Sequence, residues 1–233
     1  ARRRILRKLH IRWWHASALQ MQNILRQAGV PKEILDLIPS IVDTCEACRQ
    51  WQRPGPDAQA TFSVAEKFNE VVEMDLVFYK EYSILHLVDR CTRWHAARVI
   101  KDKSSETLIN AIDEMWVSPL GPMQKLVVDM ETGIWKSFKA GAYFTRRGID
   151  YKPRAVGQHA RYAERRGELL KDCLRKMDSQ LKKENIDIPF KHRLSECVFA
   201  GNALITVNQT TPYNAVFGRV PNLLPDMNQF NDP

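Results

Sequence analysis

Long hydrophobic runs are missing from this sequence. No apolar stretch approaches the roughly 18–20 residues that a bilayer-spanning helix needs, so no membrane partner is expected. The first residues, Ala1 to Arg4, are basic. No apolar segment follows them, which excludes a secretory signal peptide. The sequence also lacks an initiator methionine, and we therefore expect it to be a fragment of a longer product.

Cysteine is scarce, with five residues in 233. An odd and small number argues against a disulfide scaffold. Two of the five stand as Cys45-x2-Cys48. In a reducing compartment this spacing indicates metal ligation rather than a disulfide.

Charge is abundant and unbalanced. Lys and Arg number 35 against 27 Asp and Glu, which gives a net charge of +8. The pI of about 9.3 predicts an anionic partner. Of the two candidates that charge alone allows, nucleic acid is favoured over an acidic membrane surface. The hydrophobic fraction of 44% is enough for a packed core and excludes a disordered chain.

Four residues of metal-ligand type lie in the N-terminal segment. They form the pattern His10-x4-His15-x29-Cys45-x2-Cys48, around a helix capped at Ser17 and a second helix predicted from Lys32 to about residue 41. Zn²⁺ takes four N or S ligands in a closed structural site, and a segment of this size has too little core to fold alone. We predict one structural zinc ion. The alternative is two ordinary histidines and a chance cysteine pair.

Composition divides the chain into segments. Pro54-Gly55-Pro56 and the small residues around it break both helix and strand periodicity. We predict a zinc-binding domain at 1–52, a linker at 53–67, a core at 68–226 and a tail at 227–233.

The core alternates strands and helices. Apolar runs predict strands at 71–78, 82–88, 94–100, 125–128 and 149–151. Helical spacing predicts helices after Ser104, at 134–144 with Phe138 and Ala142 inward, at 161–183 and at 193–208. The fold class is therefore α/β, with a mixed sheet.

Three acidic residues in or next to these elements are candidate metal ligands. Asp75 lies inside an apolar strand, Asp129 follows the strand 125–128, and Glu164 begins the long helix. Burying an unpaired carboxylate is costly unless a cation neutralises it. Carboxylates that converge from separate elements can hold two Mg²⁺ or Mn²⁺ ions about 4 Å apart for phosphoryl chemistry.

Other acidic residues compete for the same role. Glu73 shares a strand face with Asp75, and Asp89 follows an apolar run; structural roles are favoured for both. Glu131 and Glu168 lie close to Asp129 and Glu164 in sequence. Periodicity alone hardly distinguishes Glu164 from its rivals.

These features together resemble the integrase of retroviruses and long-terminal-repeat retrotransposons, most closely the copia type. The His-His-Cys-Cys pattern precedes two Asp and a Glu, with separations of 54 and 35 positions. The segment from Gly157 to Arg165, which contains Glu164-Arg165, is similar to the family's motif. So is Thr211-Pro212-Tyr213-Asn214. The chain departs from the family at Ala160-Arg161, where Asn-Gly is usual, and after Asp129.

The resemblance implies a ribonuclease-H-like, five-stranded core behind the zinc domain. It implies Asp75, Asp129 and Glu164 as the ligands of two Mg²⁺ or Mn²⁺ ions, and sets Glu73, Asp89 and Glu168 aside. It further implies processing of DNA 3′ ends, their joining to target DNA, a homo-multimer and action in the nucleus. Two alternatives remain: a decayed or domesticated integrase that only binds DNA, and a nuclease of the same fold.

DNA contacts are predicted along the long helix and the loop before it. Lys171 and Arg175 continue the helix face of Glu164, where they could hold phosphates. An ordinary solvated charged face is the alternative. The full set of predicted DNA-binding residues is Gln158, His159, Arg161, Arg165, Lys171 and Arg175.

Overall fold

The structure, a computed structural model, describes residues 2–50, 65–128, 134, 136–153, 160–207 and 209–223. Most of the predicted linker and all of the predicted tail lie outside these residues. So do Asp129, Glu131, Gln158 and His159. The domain boundaries therefore stay predictions.

The N-terminal segment is wholly helical. A capping box fixes the start of its second helix, since the Ser17 hydroxyl accepts from Gln20 N and the Gln20 side chain accepts from Ser17 N. Gly29, at φ +76°, follows that helix in the left-handed conformation that glycine adopts freely. The helices are α1 (Arg2–Arg12), α2 (Ala18–Gln27), α3 (Lys32–Leu35), α4 (Ile38–Asp43) and α5 (Glu46–Gln50).

The single helix predicted from Lys32 to about residue 41 is wrong. The chain forms α3 and α4 instead, separated at Asp36 and Leu37. Pro39 lies in the first turn of α4. A proline ring clashes with the carbonyl four residues earlier, which here belongs to Leu35, so the helix has to end there.

A five-stranded mixed sheet forms the centre of the larger segment. Its order is β3-β2-β1-β4-β5. β1 pairs antiparallel with β2, which pairs antiparallel with β3, whereas β1–β4 and β4–β5 are parallel. The strands are β1 (Val71–Tyr79), β2 (Tyr82–Asp89), β3 (His95–Ile100), β4 (Lys125–Val128) and β5 (Asp150–Pro153).

Helices cover both faces of the sheet. The helical elements of the larger segment are α6 (Ser105–Ile112), a π-helical turn (Asp113–Val117), α7 (Ser118–Leu120), α8 (Phe138–Arg146), α9 (Arg161–Glu184), α10 (Phe190–Leu204) and α11 (Pro212–Phe217). On one face of the sheet, Val72 and Met74 of β1 belong to a buried cluster that includes Trp116 and Phe144. On the opposite face, Val77 and Tyr79 of β1 pack with α9 and α10. Alternation along β1 therefore directs Glu73 and Asp75 toward α9.

Two core helices differ from prediction. α8 begins at Phe138 because Ser137 caps it through Ala140 N, and Phe138 is 90% exposed while Ala142 is also exposed. The inward placement of these two residues was wrong. α10 spans Phe190–Leu204 rather than 193–208. In the described part of the chain, no helix is both long and apolar enough to cross a membrane.

The two segments pack against each other. Leu6, Met21 and Ile38 of the helical segment form a buried cluster that also contains Ala203 and Leu204 of α10. Trp13 Nε1 donates to the Leu223 carbonyl at 2.9 Å. The small helical core is therefore completed by residues of the larger segment.

Candidate metal centres and active site

The four predicted zinc ligands lie together. One ligand atom from each of His10, His15, Cys45 and Cys48 lies within 4.8 Å of every other. His15 Nδ1 is 3.2 Å from Cys45 Sγ and 3.2 Å from His10 Nε2, and His10 Nε2 is 3.4 Å from Cys48 Sγ. A zinc tetrahedron with bonds of about 2.0–2.3 Å has edges of about 3.3–3.8 Å. The donor set and its spacing therefore fit Zn²⁺.

The histidine geometry supports the same site. His10 Nδ1 lies 3.0 Å from the Ala16 carbonyl oxygen, so the protonated Nδ1 donates there and leaves Nε2 free for a cation. Burial lowers the pKa of His10, and it lowers the pKa of His15 to about 4. Burial also raises the pKa of the Cys48 thiol to about 12. Both histidines are thus neutral, as metal ligation requires, and a bound cation would favour the thiolates.

Asp75 and Glu164 occupy facing elements of the larger segment. Asp75 is half-buried on β1, opposite His86 of β2, and its Oδ1 accepts from Leu76 N at 2.9 Å. Glu164 is exposed in the first turn of α9. The Asp75 carboxylate has the hard oxygens that Mg²⁺ and Mn²⁺ prefer. The third predicted carboxylate, Asp129, lies outside the described residues.

β1 and the first turn of α9 are in direct contact. Glu73 Oε2 accepts from the backbone amides of Tyr162 and Ala163 at 3.1 and 2.9 Å. Since Asp75 is two residues from Glu73 and Glu164 follows Ala163, the contact brings the two carboxylate-bearing segments to one place. β4 is parallel to β1, with Val127 opposite Glu73, and its described part ends one residue before position 129.

Asp89, the other rival on this sheet, has a structural role, as predicted. Its side chain is fully buried and accepts from Asn69 N at 3.0 Å and from Thr92 N at 2.6 Å. Burial raises its pKa, and these hydrogen bonds oppose that shift. Asp89 therefore joins the turn between β2 and β3 to the segment before β1 rather than facing a cation.

A buried polar network, which the sequence does not predict, includes His86, the residue opposite Asp75. His86 Nδ1 lies 3.1 Å from His95 Nε2, and the Asn202 side chain bonds both the N–H and the carbonyl of His95. The Arg166 guanidinium reaches Asn202 Oδ1 at 2.9 Å. Burial lowers the pKa of His86 to about 3, helped by Arg166, and lowers that of His95 as well. Single histidines in apolar strands gave no sequence signal that they would meet.

The described residues predicted to bind DNA lie along α9. Arg161 and Arg165 are exposed near its start. Lys171 pairs with Glu168, and Arg175 pairs with Asp172 at 2.9 Å, each three residues away. Lys171 and Arg175 also line an open cleft with Lys80, Lys182 and Arg193. The helix therefore carries a basic surface whose charge is partly balanced by acidic neighbours.

Comparison with known proteins gives matches in structure alone. No protein-family model matches the chain, and no curated protein matches it in sequence. A chain of the simian T-cell lymphotropic virus intasome, solved with PP2A regulatory subunit B56 gamma, superposes with a TM-score of 0.68 at 20% identity, covering 95% of this chain and 76% of that one.

Two catalytic core domains match part of the chain. The HTLV-2 integrase core in complex with magnesium, in its trimeric form, gives a TM-score of 0.54 at 18% identity and covers 64% of this chain and 96% of that one. The BIV integrase core gives 0.54 at 16% identity, covering 64% and 95%. The chain therefore has the ribonuclease-H-like fold of retroviral integrase catalytic cores, preceded by a helical His-His-Cys-Cys unit.

Proposed function

We propose that the chain is an integrase-type polynucleotidyl transferase that processes DNA 3′ ends and joins them to target DNA. The observation that carries the proposal is the contact between β1 and the first turn of α9. Through it, the segments of Asp75 and Glu164 meet on a ribonuclease-H-like sheet. The resemblance in sequence and the likeness in fold to HTLV-2 and BIV integrase cores support the same activity.

Asp75, Asp129 and Glu164 would hold two Mg²⁺ or Mn²⁺ ions. When bound, these ions supply the positive charge that stabilises an in-line displacement at phosphorus. The protein's part is to present oxygen ligands from separate rigid elements, a strand, the end of a strand and a helix. The HTLV-2 core was solved with magnesium, which supports the same choice of ion here.

DNA is the proposed partner, bound along the basic side of α9. Arg161, Arg165, Lys171 and Arg175 would contact phosphates, whose recognition depends on charge rather than on base sequence. Gln158 and His159 would contact the reacting end. We further propose a homo-multimer acting in the nucleus. The intasome assembly and the dimeric and trimeric HTLV-2 cores support the multimer.

Strand transfer of a labelled DNA end tests this function. The purified chain is incubated with target DNA and Mg²⁺ or Mn²⁺, beside Glu164→Gln, which keeps the side-chain shape but loses the charge. Joined products from the parent chain alone are expected. Equal products from both chains would contradict the proposal, as would DNA binding with no joining. Hydrolysis without joining would indicate the nuclease instead.

The zinc assignment has its own test. Elemental analysis should find about one zinc per chain, because the four ligands form one closed site. Cys45→Ser should lose the metal. Retention of zinc in that variant would exclude Cys45 as a ligand.

A further inference from the structure

Glu73 is an acidic side chain in an unusual position. It lies on β1 two residues before Asp75, on the same face of the strand, and only 1% of its surface is exposed. A buried carboxylate is destabilising unless hydrogen bonds and a counter-charge compensate for the lost water. The partners of Glu73 therefore indicate what the residue is for.

Each carboxylate oxygen has its own partner. Oε1 accepts from Arg90 Nε at 2.7 Å, an ion pair that neutralises the charge. Oε2 accepts from the amides of Tyr162 at 3.1 Å and of Ala163 at 2.9 Å. Both oxygens are thus engaged within the protein, and Glu73 differs in this from a carboxylate that faces a metal ion.

The two amides belong to a helix whose N-cap residue does not cap it. Ala160 is that residue, and its methyl side chain cannot accept a hydrogen bond from the first turn of α9. The first N–H groups of a helix need partners from elsewhere, and a negative charge there is favourable. Glu73 provides both from β1, about 90 positions earlier in the chain.

Cation–π and apolar contacts also hold the first turn of α9. The Arg93 guanidinium lies 3.7 Å from the centre of the Tyr162 ring, and Arg90 lies 5.9 Å from it. Ala160 and Ala163 are buried against Val88 of β2. The first turn of α9 is therefore fixed to β1 and β2 immediately before Glu164.

We propose that Glu73 is a positioning residue for the metal site, which sets the Glu164 carboxylate against Asp75 before any cation binds. The proposal rests on the proposed function of that site. Outer partners that orient metal ligands typically change metal affinity or activity by about 10–100-fold when they are removed. Glu73 acts on Glu164 through the backbone of α9 and does not touch the reacting DNA.

The test measures the Mg²⁺ and Mn²⁺ concentrations that give half-maximal strand transfer. In Glu73→Ala we expect these concentrations to rise by about 10–100-fold, because the first turn of α9 loses its acceptor. Glu73→Gln keeps one oxygen that can accept from both amides but loses the charge, so a smaller rise is expected. A cation requirement that rises from the parent chain to Glu73→Gln and again to Glu73→Ala is the result expected for a positioning residue.

A matched variant separates positioning from stability. Asp89→Asn alters another buried carboxylate that accepts from backbone amides, but its partners are Asn69 N, before β1, and Thr92 N, in the turn between β2 and β3. It should lower the melting temperature and leave the cation requirement unchanged. A rise in Asp89→Asn equal to that in Glu73→Ala would overturn the proposal. If Glu73→Ala does not fold, a cation requirement of Glu73→Gln equal to the parent's would overturn it.

Hydrogen exchange gives a readout that does not depend on activity. The amides of Tyr162 and Ala163 should exchange about tenfold faster or more in Glu73→Ala than in the parent, since they lose a charge-assisted acceptor. Unchanged exchange would contradict the proposal. A parent chain that shows no strand transfer contradicts the proposed function, whereas an active parent whose cation requirement Glu73→Ala leaves unmoved contradicts only the positioning role.

Discussion

The two segments of the molecule are stabilised in different ways. The helical segment, residues 2–50, has short helices, and its buried cluster includes residues of α10. The sheet segment has its own clusters on both faces. A cation would also do different work in each, since two His and two Cys would enclose it in the first, whereas carboxylates in the second would leave room for substrate. The comparison predicts that one segment needs its metal to fold and that the other needs it only to react.

The largest effect is expected from removing the zinc site. Structural zinc contributes about 10–16 kcal/mol in small zinc-binding peptides, so Cys45→Ser should unfold the helical segment. The sheet should persist, because its clusters do not include the ligands. Hydrogen exchange resolved along the chain checks this. Protection of α2 that equals the parent's would break the comparison.

Acid should destabilise the sheet segment through its buried histidines. Burial holds the pKa of His86 at about 3 and that of His95 below the ordinary 6.5. Between pH 3 and pH 6.5 the unfolded chain binds more protons than the folded chain, because its histidines become protonated while His86 and His95 stay neutral in the fold. The contribution of these two histidines to stability is therefore fully present above pH 6.5 and is lost as the pH falls toward 3. Chemical denaturation at several pH values measures the slope.

A variant assigns that slope to the histidines. His95→Gln removes one titrating group and keeps both zinc-site histidines, so its stability should fall less steeply below pH 6.5 than the parent's. The same slope in both chains would show that other groups, such as the zinc ligands, cause the acid effect.

A smaller effect is expected where α9 crosses β1. A Cβ on Gly167 would lie 2.8 Å from Val77 Cγ2 and 3.4 Å from His86 Cε1. Val77 is buried and β-branched, so it has little freedom to move. Gly167→Ala should therefore lower the free energy of unfolding by about 1–3 kcal/mol. Thermal unfolding of Gly167→Ala checks this, with Glu184→Ala at the exposed end of the same helix as the control. Equal stabilities of the two variants would contradict the close approach of α9 to β1.

Much of this architecture could be predicted from the sequence, because the signals were local. Apolar runs predict the strands, and the spacing of the ligand-type residues predicts one metal site formed by His10, His15, Cys45 and Cys48. The contact of Glu73 with α9 could not be predicted, since it joins residues about 90 positions apart and no local pattern links them. Periodicity predicts an inward Phe138, but the cap at Ser137 starts α8 at Phe138, whose side chain is exposed.

The most direct test of the account is the position of metal ions in a crystal soaked with Mn²⁺. Anomalous scattering locates manganese without reference to activity. The account predicts two Mn²⁺ ions bound by carboxylate oxygens of Asp75, Asp129 and Glu164, beside the first turn of α9. Manganese found only elsewhere, with the oxygens of these three residues too far apart to share an ion, would contradict it.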